Sequence, residues 1–299
     1  MDAAADTSWR ERHAGTLRQW RLYAHLFRRS FSSMLGLALV LLFLALAAFG
    51  PLVAPYPEDA LGAVHMDEKL QPPSAAHPFG TDEVGADILS RVIIGTRTSL
   101  WIGLVITAVA VAVGVPIGIF AGYRGGRTRE AIMRLTDVFL SVPGLALALA
   151  IVASLGPGIA NCVIALSLVW WPGYVRLIES KTLALKQELF VEAARAVGAG
   201  TPYILFRHIL PNCVSPLIVK ASMDFGLAVL AAASLGFIGL GAKAPAPEWG
   251  SMISIARSYM PDWWWYALAP GLAIYLTVLG FNLFGDGLRD ILDPKSRSS

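Results

Sequence analysis

The chain has 299 residues, of which 56% are hydrophobic and 15% are charged, and its formal net charge is +3. Soluble domains carry about 25% charged residues, so this composition excludes an ordinary water-soluble globular protein. The small charge does not provide the strong basic patch that nucleic-acid binding requires, and two cysteines, Cys162 and Cys213, exclude a disulfide framework and a cysteine-based metal site.

Residues 1–33 are predicted to form a cytoplasmic tail that contains an amphipathic helix. One helix face carries apolar residues at spacings of three and four, namely Leu17, Trp20, Ala24, Phe27 and Phe31. Because most of the arginines and the histidine of this segment fall off that face, we expect the helix to lie on the membrane surface. A helix packed within the cytosol is the alternative. The first apolar stretch starts too late for a secretory signal, so we expect a retained anchor.

Six apolar segments follow the tail and predict six transmembrane helices in one membrane domain, residues 34–299. They cover about 34–54, 100–123, 138–155, 159–175, 214–241 and 267–284. Stretches of about 20 apolar residues match the thickness of the hydrocarbon core, and inside it only a helix satisfies its own backbone groups. The fold class predicted from these segments is therefore an all-α polytopic membrane protein.

The distribution of Lys and Arg predicts the orientation of these spans. If the N-terminus is cytoplasmic, the inner segments hold eighteen of these residues and the outer segments hold five. Cytoplasmic loops carry the excess of positive charge in membrane proteins. We therefore expect both termini in the cytoplasm, a long outer loop over 55–99 and a long inner loop over 176–213.

The inner loop at 176–213 is predicted to contain two short helices that meet at a bend. The first covers about 186–197 and stops at Gly198, a residue typical of helix C-termini. The second begins with Thr201 as N-cap and Pro202 in the first turn, and it is expected to end at Pro211. Such a bend could transmit a push into the fifth span. A structural loop without a partner is the alternative.

The same loop resembles the EAA motif of bacterial ABC importer permeases. The matching residues are Glu192, Ala193, Ala194, Gly198, Leu210 and Pro211. His208 departs from the motif, which has isoleucine there. Residues 207–212, 77–100, 235–253 and 281–294 resemble signatures of the peptide and nickel branch of these permeases. The resemblance covers nearly the whole chain beyond the N-terminal tail.

The resemblance implies a type I importer permease fold and a role as the permease subunit of an ATP-driven peptide importer in the bacterial cytoplasmic membrane. The implied partners are a second related permease, two ATP-binding cassette subunits and an external solute-binding protein. The matched motif residues would couple this chain to an ATP-binding subunit. ATP hydrolysis would then occur on those subunits, and we expect no catalytic residue, cofactor or metal in this chain.

Two departures from the branch bear on the substrate. Ala86 stands where an arginine is usual, and Ala232 stands where a carboxylate is frequent. A nickel or other small-solute importer of the same branch remains an alternative. An ion-coupled secondary transporter is a more distant one, because the predicted spans hold few charges and no inverted repeat is evident.

Three further residues are candidates outside the motif. Asp224 and Asn161 lie in predicted spans and are candidate pathway residues, although Asp224 follows Lys220 by four residues and could pair with it. Asn161 could instead bond across helices. Trp249 lies after two prolines in a segment predicted to lack regular helix. It is a candidate contact for the binding protein, with packing of the loop on the membrane surface as the alternative.

Overall fold

The computed structural model describes His25 and residues 27–292, and the regular elements in this part of the chain are helices. Short 3-10 helices cover Pro57–Leu61, Met66–Glu68 and Arg257–Tyr259, and one π-helical turn covers Leu205–Ile209. The all-α prediction is confirmed. Most of the predicted amphipathic helix lies outside the described residues. The α-helices are α1 (Phe31–Val53), α2 (Ile88–Arg124), α3 (Gly126–Ser141), α4 (Gly144–Leu155), α5 (Ile159–Leu185), α6 (Leu189–Ala196), α7 (Thr201–Ile204), α8 (Leu210–Phe237), α9 (Trp249–Ala256) and α10 (Trp264–Leu292).

Five helical stretches of the described residues are long and apolar enough to cross a membrane: α1, α2, α5, the combined stretch Thr201–Phe237 and α10. A sixth crossing requires α3 and α4 together, and these helices meet at a bend of 84°. The predicted continuous span over 138–155 is therefore wrong. Pro143 has no N–H for the helix, and it restricts Val142 to extended backbone with φ −94° and ψ 134°.

Two spans are longer than their apolar segments. Helix α2 begins at Ile88, where the Asp87 side chain accepts a hydrogen bond from the Ser90 N–H at 2.7 Å and caps the helix. Helix α5 continues to Leu185, ten residues beyond the predicted end of the fourth segment. The outer loop predicted at 55–99 is therefore confined to about residues 54–87, and the inner loop predicted at 176–213 starts in helix.

Glycines allow the main helix pairs to approach closely. Gly114, Gly118 and Gly122 lie four residues apart on one face of α2 and contact α5. A Cβ added at any of them would lie 2.5–2.8 Å from an atom of α5. Gly36 and Gly280 have the same role between α1 and α10. Small residues at every fourth position are typical of helix packing in membranes.

The segment over residues 54–87 is a folded cap held by buried polar contacts. Asp82 is fully buried and pairs with the Arg91 guanidinium. Burial raises the pKa of the Asp82 carboxyl, and the charge of Arg91 opposes that rise. His77 Nδ1 lies 3.0 Å from Asp87 Oδ1, and the Asp87 N–H donates to Asp59 Oδ2 at 2.7 Å. These contacts tie the loop to the start of α2.

Candidate functional site

The inner loop folds as a helical elbow, residues 189–209, which comprises α6, a turn, α7 and the π-helical turn. Gly198 has φ +86°, and its N–H donates to the Arg195 carbonyl oxygen at 2.9 Å. The predicted stop at Gly198 is confirmed, because glycine adopts left-handed backbone without a Cβ penalty. Thr201 is the first helical residue rather than the N-cap, a position taken by Gly200.

The second helix of the elbow does not end at Pro211, so that prediction is wrong. The helix continues without a break from Thr201 to Phe237. In the π-helical turn the Leu210 N–H bonds to the Leu205 carbonyl five residues back. This wider turn accommodates a proline, which lacks an N–H and collides with the carbonyl of a regular α-turn. The second half of the elbow, which is α7 and the π-helical turn, and α8 therefore form one rod about 55 Å long.

The elbow exposes a large apolar surface on the side away from the helix bundle. The side chains of Leu189, Val197 and Phe206 are 80%, 85% and 72% exposed. The opposite side packs into the bundle with fully buried residues, namely Val191, Ile204 and Ile209. Apolar patches of this kind on a surface element mark sites of protein contact.

The residues of the EAA resemblance lie on this elbow and at its junction with α8. Glu192, Ala193 and Gly198 are exposed, and Ala194 is half-buried at the end of α6. A Cβ at Gly198 would meet nothing within 4 Å, so the surface beside the turn is open. Of the last two matched residues, Leu210 is half-buried and Pro211 is exposed. The structure places all six in one segment.

His208 connects the two helices of the elbow. Its ring lies 5.9 Å from the Phe190 ring in α6 and 5.6 Å from the Tyr203 ring in α7, measured between centroids. The departure from the EAA motif is thus a packing residue.

Two cations, one just before the elbow and one on α6, contact the C-terminal end of α2, and the sequence did not identify them. Lys186 Nζ donates to the Tyr123 carbonyl oxygen at 2.7 Å, and the Arg195 guanidinium carbon lies 5.4 Å from the centre of the Tyr123 ring. A cation at a helix C-terminus satisfies a carbonyl that lacks an intrahelical partner. The sequence shows that both residues are basic, but their partner, Tyr123, is more than sixty positions away, so no local pattern predicts the contact.

Asp224 and Lys220 form an ion pair inside α8. Lys220 Nζ lies 3.0 Å from Asp224 Oδ2, so the predicted pairing is confirmed. The carboxylate is buried, whereas the lysine side chain is 29% exposed. The ammonium also lies 5.0 Å from the centre of the Tyr174 ring on α5.

Asn161 makes a structural contact with the end of α4. Its side-chain amide donates to the carbonyl oxygens of Leu155 and Gly156 at 3.0 and 2.9 Å. These carbonyls end α4 and have no partner within the helix. This contact favours the structural alternative for Asn161 over a pathway role.

Trp249 is not an exposed contact in an irregular segment, so that prediction is wrong. It is the first residue of α9, its side chain is 0% exposed, and its indole N–H donates to the Val92 carbonyl oxygen at 3.0 Å. Glu248 caps α9 by accepting from the backbone N–H groups of Gly250 and Ser251. This N-cap stabilises a helix that begins at Trp249, directly after the segment that contains the prolines.

The two departures from the branch are both buried. The Ala86 side chain is fully buried in the cap over residues 54–87. The backbone N–H of Ala86 donates to Asp82 Oδ1 at 2.8 Å. Ala232 is 6% exposed and packs in an apolar cluster between α2, α4, α5 and α8. Neither side chain contributes a polar group to an open surface.

Comparisons with known proteins agree with this architecture. Residues 114–298 match the family described as the binding-protein-dependent transport system inner membrane component. The chain belongs to this family. Residues 18–73 match the N-terminal TM domain of oligopeptide transport permease C. The resemblance to the peptide branch of ABC importer permeases is confirmed.

Relatives of this permease family are similar over most of the chain. It is 47% identical to the probable D,D-dipeptide transport system permease protein DdpC of Escherichia coli, over 86% of each chain. It is 43% identical to the dipeptide transport system permease protein DppC of Alkalihalophilus pseudofirmus, over 93% of this chain and 91% of that one. It is 45% identical to the glutathione transport system permease protein GsiD of Pectobacterium atrosepticum, over 93% and 92%.

A solved structure shares the permease fold. A chain from the inward-facing MetNI methionine ABC transporter superposes with a TM-score of 0.57 at 18% identity, covering 68% of this chain and 97% of that one. The likeness confirms the predicted ABC importer permease fold.

Proposed function

We propose that this permease is one of two related subunits that form the pathway of an ATP-driven peptide importer in the bacterial cytoplasmic membrane. Two ATP-binding cassette subunits bind at its cytoplasmic side, and an external binding protein delivers the solute. The relatives named for dipeptide and glutathione transport support the substrate class. This chain itself hydrolyses no ATP.

The observation that carries the coupling role is the exposed apolar elbow joined to a membrane span. An ATP-binding subunit that covers Leu189, Val197 and Phe206 removes their apolar surface from water, which favours binding. The exposed Glu192 accepts hydrogen bonds from that subunit beside the open turn at Gly198. When the ATP-binding subunits close, the elbow moves with them. Because Thr201–Phe237 is continuous, the movement reaches the middle of the membrane and turns the pathway outward.

The orientation follows from the position of the basic residues. Both termini and the elbow lie on the cytoplasmic side, where eighteen of the Lys and Arg residues are located. The cap over residues 54–87 then lies outside. Its surface carries the exposed side chains of Leu61, Val64 and Met66, of which Leu61 is 82% exposed. With Trp249 buried, these apolar residues replace it as contacts for the external binding protein.

The substrate class is tested by ATP turnover of the complete complex in liposomes with its binding protein. A dipeptide or glutathione should raise turnover several-fold over the solute-free rate. Stimulation by Ni²⁺ with no response to either peptide would favour the small-solute importer. Uptake that persists without the ATP-binding subunits would favour a secondary transporter.

A further inference from the structure

The ion pair of Lys220 and Asp224 lies deep in the membrane domain. Asp224 is about 20 Å from either end of α8, given a rise of 1.5 Å per residue. The Lys220 ammonium lies 3.3 and 3.0 Å from the two carboxylate oxygens of Asp224. Gly173 on α5 lies beside the ammonium, and a Cβ there would make van der Waals contact with Lys220 Nζ at 3.4 Å. The pair therefore packs against α5.

Tyr174 adds an uncommitted polar group to the pair. Its side chain is fully buried, and its hydroxyl is near the Asp224 carboxylate. The hydroxyl interacts with that carboxylate, but it does not reach normal hydrogen-bond geometry with Asp224 or with any other described residue. A buried hydroxyl without a partner is unfavourable by about 1–3 kcal/mol, so a ligand that accepts its proton would relieve that loss.

A pair of charges at this depth requires a polar environment. A charge in the hydrocarbon core is costly, and ionisable side chains within spans face the interior of the assembly or a water-filled cavity. The Lys220 side chain is 29% exposed on the isolated chain. In the complete complex, this accessible side of the pair would therefore face the partner permease and the pathway.

We infer that Lys220, Asp224 and Tyr174 bind the two charged ends of a short peptide as it passes through the pathway. Lys220 and the Tyr174 hydroxyl donate to the terminal carboxylate, and Asp224 accepts from the terminal ammonium. Side chains one helical turn apart have Cβ atoms about 5–6 Å apart, and the ends of a dipeptide are at most about 7 Å apart. The site therefore matches a dipeptide better than a longer peptide. It rests on the proposed function, because it needs a peptide in the pathway.

Lys220 and Asp224 lie on the same continuous helix as the second half of the elbow. Lys220 is about 29 Å along the rod from Thr201. Movement of the elbow therefore displaces Lys220 and Asp224 relative to Tyr174, which is on α5. Separation of these groups would open the site and release the peptide inward.

The test compares dialanine uptake by liposomes that contain the complete complex and its binding protein. Tyr174→Phe removes only the hydroxyl and loses no well-formed hydrogen bond, so the thermal stability of the complex should be unchanged or higher. Uptake should nevertheless fall about fivefold to tenfold, since hydrogen bonds to charged groups contribute that much or more. Tyr275→Phe on the exposed face of α10 is the matched control and should keep wild-type uptake.

A second variant separates ligand binding from structure. The exchange Lys220→Asp with Asp224→Lys keeps an ion pair one turn apart but reverses its polarity. Uptake should remain at least fivefold below wild type although the complex stays folded. Recovery of wild-type uptake in the exchange, or normal uptake in Tyr174→Phe, would overturn the site alone. Failure of the wild-type complex to take up dialanine would instead overturn the proposed peptide function, and the site with it.

Discussion

Lys186 donates a hydrogen bond from Nζ to the backbone carbonyl oxygen of Tyr123, and the two atoms are 2.7 Å apart. Lys186 is the C-cap of α5, three residues before the elbow begins, so the contact holds the ends of α5 and α2 together where a force on the elbow would reach them. Lys186→Met keeps the aliphatic stem and removes the donor. We expect binding-protein-stimulated ATP turnover to fall about twofold to fivefold, while Lys181→Met, an exposed control on α5, leaves it unchanged. Equal turnover in both variants would show that the contact does not transmit force.

Trp249 is predicted to be a structural residue. Trp249→Ala removes a fully buried ring that packs against Phe43, with ring centroids 5.8 Å apart, and it removes the indole hydrogen bond to the Val92 carbonyl. The free energy of unfolding should fall by about 3–5 kcal/mol. Denaturation of the purified complex measures this change. Trp264→Ala, which removes a 52% exposed side chain, should cost less than about 1 kcal/mol. Equal losses in the two variants would contradict the burial of Trp249.

The contact between α2 and α5 should not tolerate a larger residue. A Cβ at Gly118 would lie 2.8 Å from the Val175 carbonyl oxygen and 2.9 Å from the Ile178 Cβ. Gly118→Leu should therefore separate the helices and reduce the amount of folded permease in the membrane several-fold. Gly271→Leu on α10 is the control, because a Cβ there meets nothing within 4 Å. If both variants accumulate normally, the helices do not approach as closely as described.

Several features of the fold could be predicted from local sequence. Apolar segments identified most of the spans, glycine at 198 identified the end of α6, and a spacing of four identified the pair of Lys220 and Asp224. Each of these depends on neighbours within a few positions. Hydropathy did not reveal the bend at Pro143, because the apolar run continues through it.

The remaining features depend on contacts between distant residues. Trp249 is buried because α1 and α2 pack around it, and no local pattern near position 249 records those partners. Pro211 was expected to end a helix, but a π-helical turn before it absorbs the missing hydrogen bond. Asp87 begins α2 before the apolar segment starts, so a search for apolar residues placed that end too late. The hydrogen bond from Lys186 to Tyr123 was also not predicted, because its two residues are far apart in the sequence.

The proposed orientation predicts that the N-terminus is cytoplasmic. Cys162 and Cys213 are buried, and both should first be replaced to give a cysteine-free protein. A cysteine at Asp6 should then resist a membrane-impermeant thiol reagent in intact cells and react after the membrane is permeabilised. A cysteine at Leu61, on the exposed surface of the outer cap, should react in intact cells. Rapid labelling at position 6 in intact cells would contradict the orientation.

Coupling through the elbow is tested most directly by Glu192→Lys in the complete complex. The substitution reverses an exposed charge beside the turn at Gly198 and alters no span, so the permease should still accumulate in the membrane. Glu130→Lys, an exposed carboxylate on α3, is the control for the change of charge. We expect Glu192→Lys to reduce both peptide uptake and peptide-stimulated ATP turnover at least tenfold, whereas Glu130→Lys leaves them within twofold of wild type. Normal uptake and normal stimulated turnover in Glu192→Lys would contradict a coupling role for the elbow.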